Sequence, residues 1–325
     1  MKSKKSLDWE EEEIGSYLSS TGIIKGCCFV FKIDRGIESK NYIISVGNRS
    51  NYKYLLKIYS ENSYGEILYE IEILNKLNSC FEKKFFPIIS KEVFFIDKKP
   101  SILLKYIKGN ILSKKEISPS LVRKIAKKQA SMHLSLADFR PKHKRTRLSI
   151  YNFSFADFNL GNINDSRKKI LQKEVGELKQ EICLFEKIKF RKSIIHEDLS
   201  MENIILTKND GVSFIDFGES HYAEMISDVA IAIKEIIIRN KGVDFGLMRD
   251  YLDSYRKTIS LAKEEVGALL FLLKRRTAFM LAYLLNKQGL DNEIEFTKKI
   301  DEEIRMLKLL RKNSQLIKNF IKNYE

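Results

Sequence analysis

The sequence predicts an α+β fold in two lobes, a small β-rich N-lobe followed by a larger α-rich C-lobe. Three observations carry this. Residues 27–59 hold three short runs rich in β-branched and aromatic residues, CCFVFKI, NYIISV and YKYLLKIY. After Gly109 the apolar residues recur at mostly helical spacing. Within that helical half lies one β-rich island, SIIHEDLSMENIILTKNDGVSFIDFG.

Taken in order, residues 1–15 read as a charged arm leading into a short amphipathic helix. The three runs after it are punctuated by GIESK (36–40) and GNRSN (47–51), which read as turns of an antiparallel meander. EILYEIEILNKLN then reads as a helix with Ile67, Ile71, Leu74 and Leu77 on one stripe. FFPII, EVFFI and SILLKYI supply two more strands. Ser118 and Pro119 form an N-cap and first-turn pair for a helix over 119–137. Further helices are expected at 166–190 and 224–239, with three more in 245–321, and two strands flank a turn at 208–211. The expected division is an N-lobe over 1–104, a hinge at 105–109 and a C-lobe over 110–325.

Composition narrows the function classes. Of the 325 residues, 44% are hydrophobic and 11% aromatic, enough for a substantial core. The net charge of +15 invites a nucleic-acid reading, yet the basic residues are interleaved with 43 acidic ones. The densest basic run, at 142–147, is too short for a groove-binding element, so no nucleic-acid partner is expected. Such a field also suits the collection of anionic nucleotides. Cys27, Cys28, Cys80 and Cys183 show no metal-ligand or disulfide spacing, which fits a reducing cytosol. The N-terminus has no secretory apolar stretch, and the apolar segment 266–285 is broken by Lys274, Arg275 and Arg276. A cytoplasmic protein with no membrane partner is expected.

The island carries the chemistry: His196, Asp198 and Asn203, then Asp216 in Ile215-Asp216-Phe217-Gly218. Phosphoryl transfer asks a protein for metal ligands that neutralise phosphates and for a carboxylate that receives a hydroxyl's proton. An Asp with an Asn five residues on supplies the base and one metal ligand from a single loop. A second Asp after the next hairpin supplies the main ligand for a hard cation.

These residues resemble the signature of the aminoglycoside phosphotransferase and choline kinase superfamily, distant relatives of protein kinases. That signature is H-G-D-x-x-x-x-N, a hydrophobic-D-F segment and a further Asp, here Asp228. The resemblance implies a protein-kinase-like fold, Asp198 as catalytic base, Asn203 and Asp216 on Mg2+, and His196 and Asp228 bracing the loop. It implies ATP or GTP as donor and a small hydroxyl-bearing molecule as acceptor. Lys57, late in its strand, would reach the α- and β-phosphates, held by Glu70, with Glu66 and Glu72 as alternatives. Gly36 and Asn41-Tyr42 resemble the stretch covering the phosphates, and the backbone at Lys105 and Ile107 would meet the base at the hinge.

VSFIDFGESHYAEMISDVAIAI is similar to the hydroxylysine kinase group, as are the helix around His133 and the helix carrying Arg276. This implies a hydroxylysine-like amino acid as acceptor, ahead of homoserine, choline, ethanolamine and aminoglycosides. Arg276 would either pair with a substrate carboxylate or snorkel from a buried helix. Glu219 would attract a cationic amine or touch the metal, or be structural. Two departures stand out. Glu197 replaces the family glycine, either facing Asp198 or turning away to pair with a lysine; a catalytically silent nucleotide-binding protein is the rival reading. The stretch at 149–163 has no Trp, where the group carries one.

Overall fold

The computed structural model describes residues 9–33, 39–60, 62–81, 86–87, 92–145, 165–185, 188–208, 211–239, 242–287 and 293–324. In chain order the elements begin with α1 (Glu11–Ser20), β1 (Cys28–Ile33), β2 (Ser39–Val46), β3 (Tyr52–Tyr59), α2 (Tyr64–Cys80), β4 (Phe94–Ile96), β5 (Lys99–Lys105) and β6 (Gly109–Ile111). They continue with α3 (Pro119–Leu136), α4 (Asp165–Ile182), β7 (Lys192–Ile195), β8 (Ile204–Thr207), β9 (Gly211–Phe214), β10 (His221–Glu224) and α5 (Met225–Ala232). The remainder comprises β11 (Ile238–Arg239), β12 (Gly242–Val243), α6 (Phe245–Arg256), α7 (Lys263–Gly267), α8 (Leu269–Lys287), α9 (Glu293–Lys312) and α10 (Ser314–Lys322).

The chain divides into two compact units. The first comprises Met1–Asn110, Arg140–Arg145 and Ile205–Gly218. Its main sheet is antiparallel in the order β1-β2-β3-β5-β4. Alternation along the strands sends Tyr42, Ile44, Leu56 and Ile58 to one face, where they form a core with Ile14 and Leu18 of α1. The same alternation turns Lys57 and Tyr59 to the opposite face. Trp9 packs edge-on against Tyr17 beside that core. The helix α2 starts at a reciprocal Ser63–Glu66 cap. It buries Ile67, Glu70, Ile73, Leu74 and Leu77, so the buried stripe runs through Ile73 rather than Ile71.

The second unit comprises Ile111–Phe139, Thr146–Ile204 and Glu219–Glu325 and is mainly helical. Ser118 caps α3 by accepting from Leu121 N at 3.3 Å, as its position before Pro119 predicts. The ribbon β7–β10 pairs KSII with HYAE, four-residue runs too short to display a strand pattern. The helix expected at 166–190 stops at Ile182, where i→i+3 bonds at Leu184 and Phe185 tighten the last turn. The helix expected at 224–239 ends its α-turns at Ala232, widens into a π-helix over Ile233–Ile237 and gives way to β11 at Ile238. Among the described residues the three helices expected in 245–321 are five: Asp244 caps α6 through Leu247 N, and Glu265 reaches back to Ala262 N to start α7. Among the described residues no helix is long and apolar enough to cross a membrane. Lys274 on α8 pairs with Glu181 on α4 at 3.0 Å, so this charge on a largely apolar helix is taken into an ion pair.

Candidate active site

In the first unit the site is built on Lys57. A lysine on the buried face of β3 needs counter-charge, and Glu70, placed by α2 on its apolar stripe, needs a cation. The ammonium lies 3.2 Å from Glu70 Oε1 and 2.9 Å from Asp216 Oδ1. The Tyr59 hydroxyl donates to Glu70 Oε2 at 3.0 Å, and its ring lies under the ammonium, 5.0 Å from the centroid. Burial opposes the charge on Lys57, but Asp216 and then Glu70 outweigh it and hold the ammonium well above the usual lysine range.

The other two carboxylates on α2 are committed elsewhere. Glu66 pairs with Arg145 at 3.3 Å, and Glu72 meets His143 Nδ1 and Lys142 N, each at 2.6 Å. The basic run around 142–145 thus serves the fold of this unit. Asp216 stands half-exposed on a left-handed backbone, φ 61°. A Cβ on Gly218 would lie 3.2 Å from both Asp216 Oδ1 and Lys57 Nζ, so the glycine keeps this ion pair uncrowded. Asn41 faces Lys57 across the β2–β3 register, and Tyr42 belongs to the α1 core; Gly36 lies outside the described residues. Lys105 is exposed at the end of β5, followed by Tyr106, whose N–H donates to Lys53 O at 2.9 Å, and by half-buried Ile107.

In the second unit the loop after β7 presents Asp198 and Asn203. Asn203 Nδ2 donates to the Asp198 carbonyl at 2.8 Å and to its Oδ2 at 2.9 Å. Committing the nitrogen in this way leaves Oδ1 as the atom a cation would use. The amide oxygen is a hard donor of the kind Mg2+ takes alongside phosphates and water, and in the first unit the half-exposed carboxylate of Asp216 is another donor of that chemistry. Asp198 Oδ1 accepts from Arg276 Nη2 at 2.9 Å, and Arg276 Nη1 lies 3.8 Å from Glu197 Oε1. Glu197 therefore turns toward arginine, not toward a lysine. The Arg276 guanidinium is buried and does not snorkel.

Behind the loop, Asp228 is fully buried and accepts from Glu197 N at 2.8 Å, His133 Nε2 at 2.9 Å, Gln129 Nε2 at 3.1 Å and His196 N at 3.2 Å. Burial raises the pKa of Asp228, but the bond and charge of His133, the nearby His196 and the Glu197 N–H bring it down to about 2. His196 Nδ1 in turn accepts from Asp198 N at 3.3 Å. Three members of this network were missed in the sequence: Gln129, Tyr251 and Tyr255. The Tyr251 hydroxyl donates to Gln129 Oε1 at 2.6 Å, and the Tyr255 hydroxyl lies 2.7 Å from His133 Nδ1. Gln129/His133 on α3 and Tyr251/Tyr255 on α6 are two i, i+4 pairs facing each other, a spacing the sequence does display. Glu219 lies half-buried at the end of a short 3-10 turn, and its carbonyl meets His221 Nδ1 at 3.1 Å. The stretch at 149–163 lies outside the described residues.

Residues 32–261 match the phosphotransferase enzyme family, APH. The chain belongs to that family. A homoserine kinase of Methylobacillus flagellatus is 21% identical over 240 residues, covering 73% of this chain and 72% of that protein. Among solved structures, a microcompartment-associated aminopropanol kinase superposes with a TM-score of 0.72 at 13% identity, covering 94% of this chain and 98% of that one. An amicoumacin kinase in complex with AMP-PNP and Ca2+ follows at 0.67 and 17%, covering 87% and 88%. These likenesses show the fold, a β-sheet-rich N-terminal part and a helical C-terminal part of the protein-kinase-like kind. The superfamily expectation from the Asp198–Asn203–Asp216 spacing holds at the level of family and fold.

Proposed function

We propose that this family member is a Mg2+-dependent small-molecule kinase that moves the γ-phosphoryl group of ATP or GTP to a hydroxyl. The observation that carries the reading is the Lys57 ammonium held between Glu70 and Asp216, a buried cation placed for nucleotide phosphates. Asp198 acts as the base, oriented by the Asn203 amide. Asn203 and Asp216 hold the metal, which when bound neutralises charge on the phosphates. His196 and Asp228 brace the loop from behind, and the backbone at Lys105 and Ile107 meets the nucleotide base. Glu219 attracts the acceptor's amine, and Arg276, through its bond to Asp198, borders the place where the hydroxyl is taken up.

Homoserine and aminopropanol, the acceptors named for two relatives, each join an amino group to a hydroxyl. Our acceptor is of that chemistry, with a hydroxylysine-like amino acid first on the strength of the segment 212–233. We assign the reaction to the cytosol, where nucleoside triphosphates and Mg2+ are at hand.

The test is nucleotide consumption by the purified protein with Mg2+. ATP and GTP are each offered with hydroxylysine, homoserine, aminopropanol, choline, ethanolamine or kanamycin, beside an Asp198→Ala control. Turnover that depends on acceptor and is lost in the control is the expected result. Nucleotide binding without turnover on the whole panel would favour the silent rival.

A further inference from the structure

Asp198 is held at two points: Asn203 grips Oδ2 and Arg276 grips Oδ1, both at 2.9 Å. Arg276 rises from α8, a helix that is otherwise mostly apolar, and its side chain is only 9% exposed. Burial opposes the guanidinium charge; Asp198 first, Glu197 second, and then Glu235 and Glu303 together more than offset it. The neighbouring carboxylates Glu235 and Glu303 have a cation of their own, Lys234, at 2.8 and 2.9 Å. Arg276 is therefore the ion-pair partner of the catalytic loop, shared between Asp198 and Glu197.

Phosphoryl transfer disturbs that arrangement. The acceptor oxygen bonds to the γ-phosphorus, and the bond from phosphorus to the β–γ bridging oxygen breaks. Its electron pair leaves with the nucleoside diphosphate, and the hydroxyl proton passes to an Asp198 carboxylate oxygen. Asp198 then no longer balances the guanidinium, and a buried cation without a counter-charge is costly. A carboxylate already standing at position 197 removes that cost.

We propose that Arg276 is a positioning residue for Asp198 and that Glu197 is its standing second counter-ion, taking over the guanidinium when Asp198 receives the acceptor's proton. This gives the departure at 197 a task in turnover rather than a sign of lost activity. The inference rests on the kinase reading above, with Asp198 as the base.

The test is a cycle of wild type, E197Q, R276M and the double variant in the full chain, with R276K alongside. Steady-state kcat and KM are measured with the acceptor found in the panel. R276M is expected to lower kcat about tenfold or more while the nucleotide KM stays within about twofold, and R276K to regain part of the loss. E197Q should lower kcat about threefold or more in the wild-type background but less than about twofold on top of R276M. A structural role alone would lower thermal stability and leave kcat of the folded fraction unchanged. Additive effects, or an R276M kcat within about twofold of wild type, would overturn the proposal. Should R276M fail to fold, the same cycle run with R276Q, which also removes the cation, decides. Wild-type protein with no turnover, or turnover that survives D198A, sinks the kinase reading and this inference with it. D198A-sensitive turnover with an additive cycle sinks this inference alone.

Discussion

Glu197 and Asp216 both occupy left-handed backbone, with φ of 66° and 61°. Aspartate visits this region with some ease, since its short side chain bonds locally, whereas glutamate gains no such help. The superfamily glycine at the first of these positions has a physical reason that no spacing in the sequence displays. A side chain there costs about 1 kcal/mol, offset here by a carboxylate set against Arg276. The backbone part can be separated from the charge part. E197G and E197A both remove the carboxylate, but only glycine relieves the backbone, so E197G should be the more stable by about 1 kcal/mol in urea unfolding. Equal stability of the two would mean that the loop does not hold its left-handed turn in solution.

At the scale of elements, the facing pairs on α3 and α6 meet on Asp228, which in turn holds the backbone of the loop that presents Asp198. Four N–H groups converge on one carboxylate, and replacing it by an amide sets an NH2 against donors. D228N should cost roughly 3–5 kcal/mol, the range for breaking a buried, paired charge. Asp228 also has a pH signature. Its pKa is lowered to about 2 on folding, so its contribution is complete above its unfolded value near pH 4 and is lost as pH falls toward 2. On the order of 2 kcal/mol of wild-type stability should fall away across that window, and the same part of the slope should be missing in D228N. A matching slope in both proteins would show that Asp228 is not the group titrating.

Elements with a local signal were legible: Ser118-Pro119 announces α3, and period-two runs announce β1 to β3. Elements defined by distant partners were not. The ribbon β7–β10 joins runs of four residues each, and the change from α- to π-helix after Ala232 falls inside an apolar stretch that reads as one continuous helix. Lys57 and Glu70 were legible because strand alternation and helix periodicity place them singly. Where the alternatives Glu66 and Glu72 go instead depends on Arg145 and His143, some seventy to eighty residues onward.

For the whole molecule, the net charge of +15 is the property most open to misreading. His143 and Arg145 are taken up by α2, and Lys57, Lys234, Lys274, Arg276 and Arg311 all stand in ion pairs. Each of these pairs also uses a carboxylate, so the excess of +15 is left over and supplies a diffuse positive field that favours anionic nucleotides. Nucleotide binding should accordingly be visible in the stability of the chain, independently of which acceptor it serves. A ligand that binds the folded state at about a hundred times its dissociation constant stabilises it by about 2.7 kcal/mol, a shift of several degrees in Tm for a chain of this size. ATP or GTP with Mg2+ should raise Tm in this way, and either nucleotide without Mg2+ should do so less, because Asp216 then faces the phosphates without the cation between them. D216N should lose most of the Mg2+-dependent part while keeping the fold, since Asp216 is half-exposed and Lys57 retains Glu70. Raised ionic strength should diminish the shift for all combinations alike, the mark of a field acting at long range. No shift with either nucleotide, at any salt, would remove the premise on which the kinase reading stands, whereas a shift that D216N leaves intact would move the metal to other ligands and leave the nucleotide site in place.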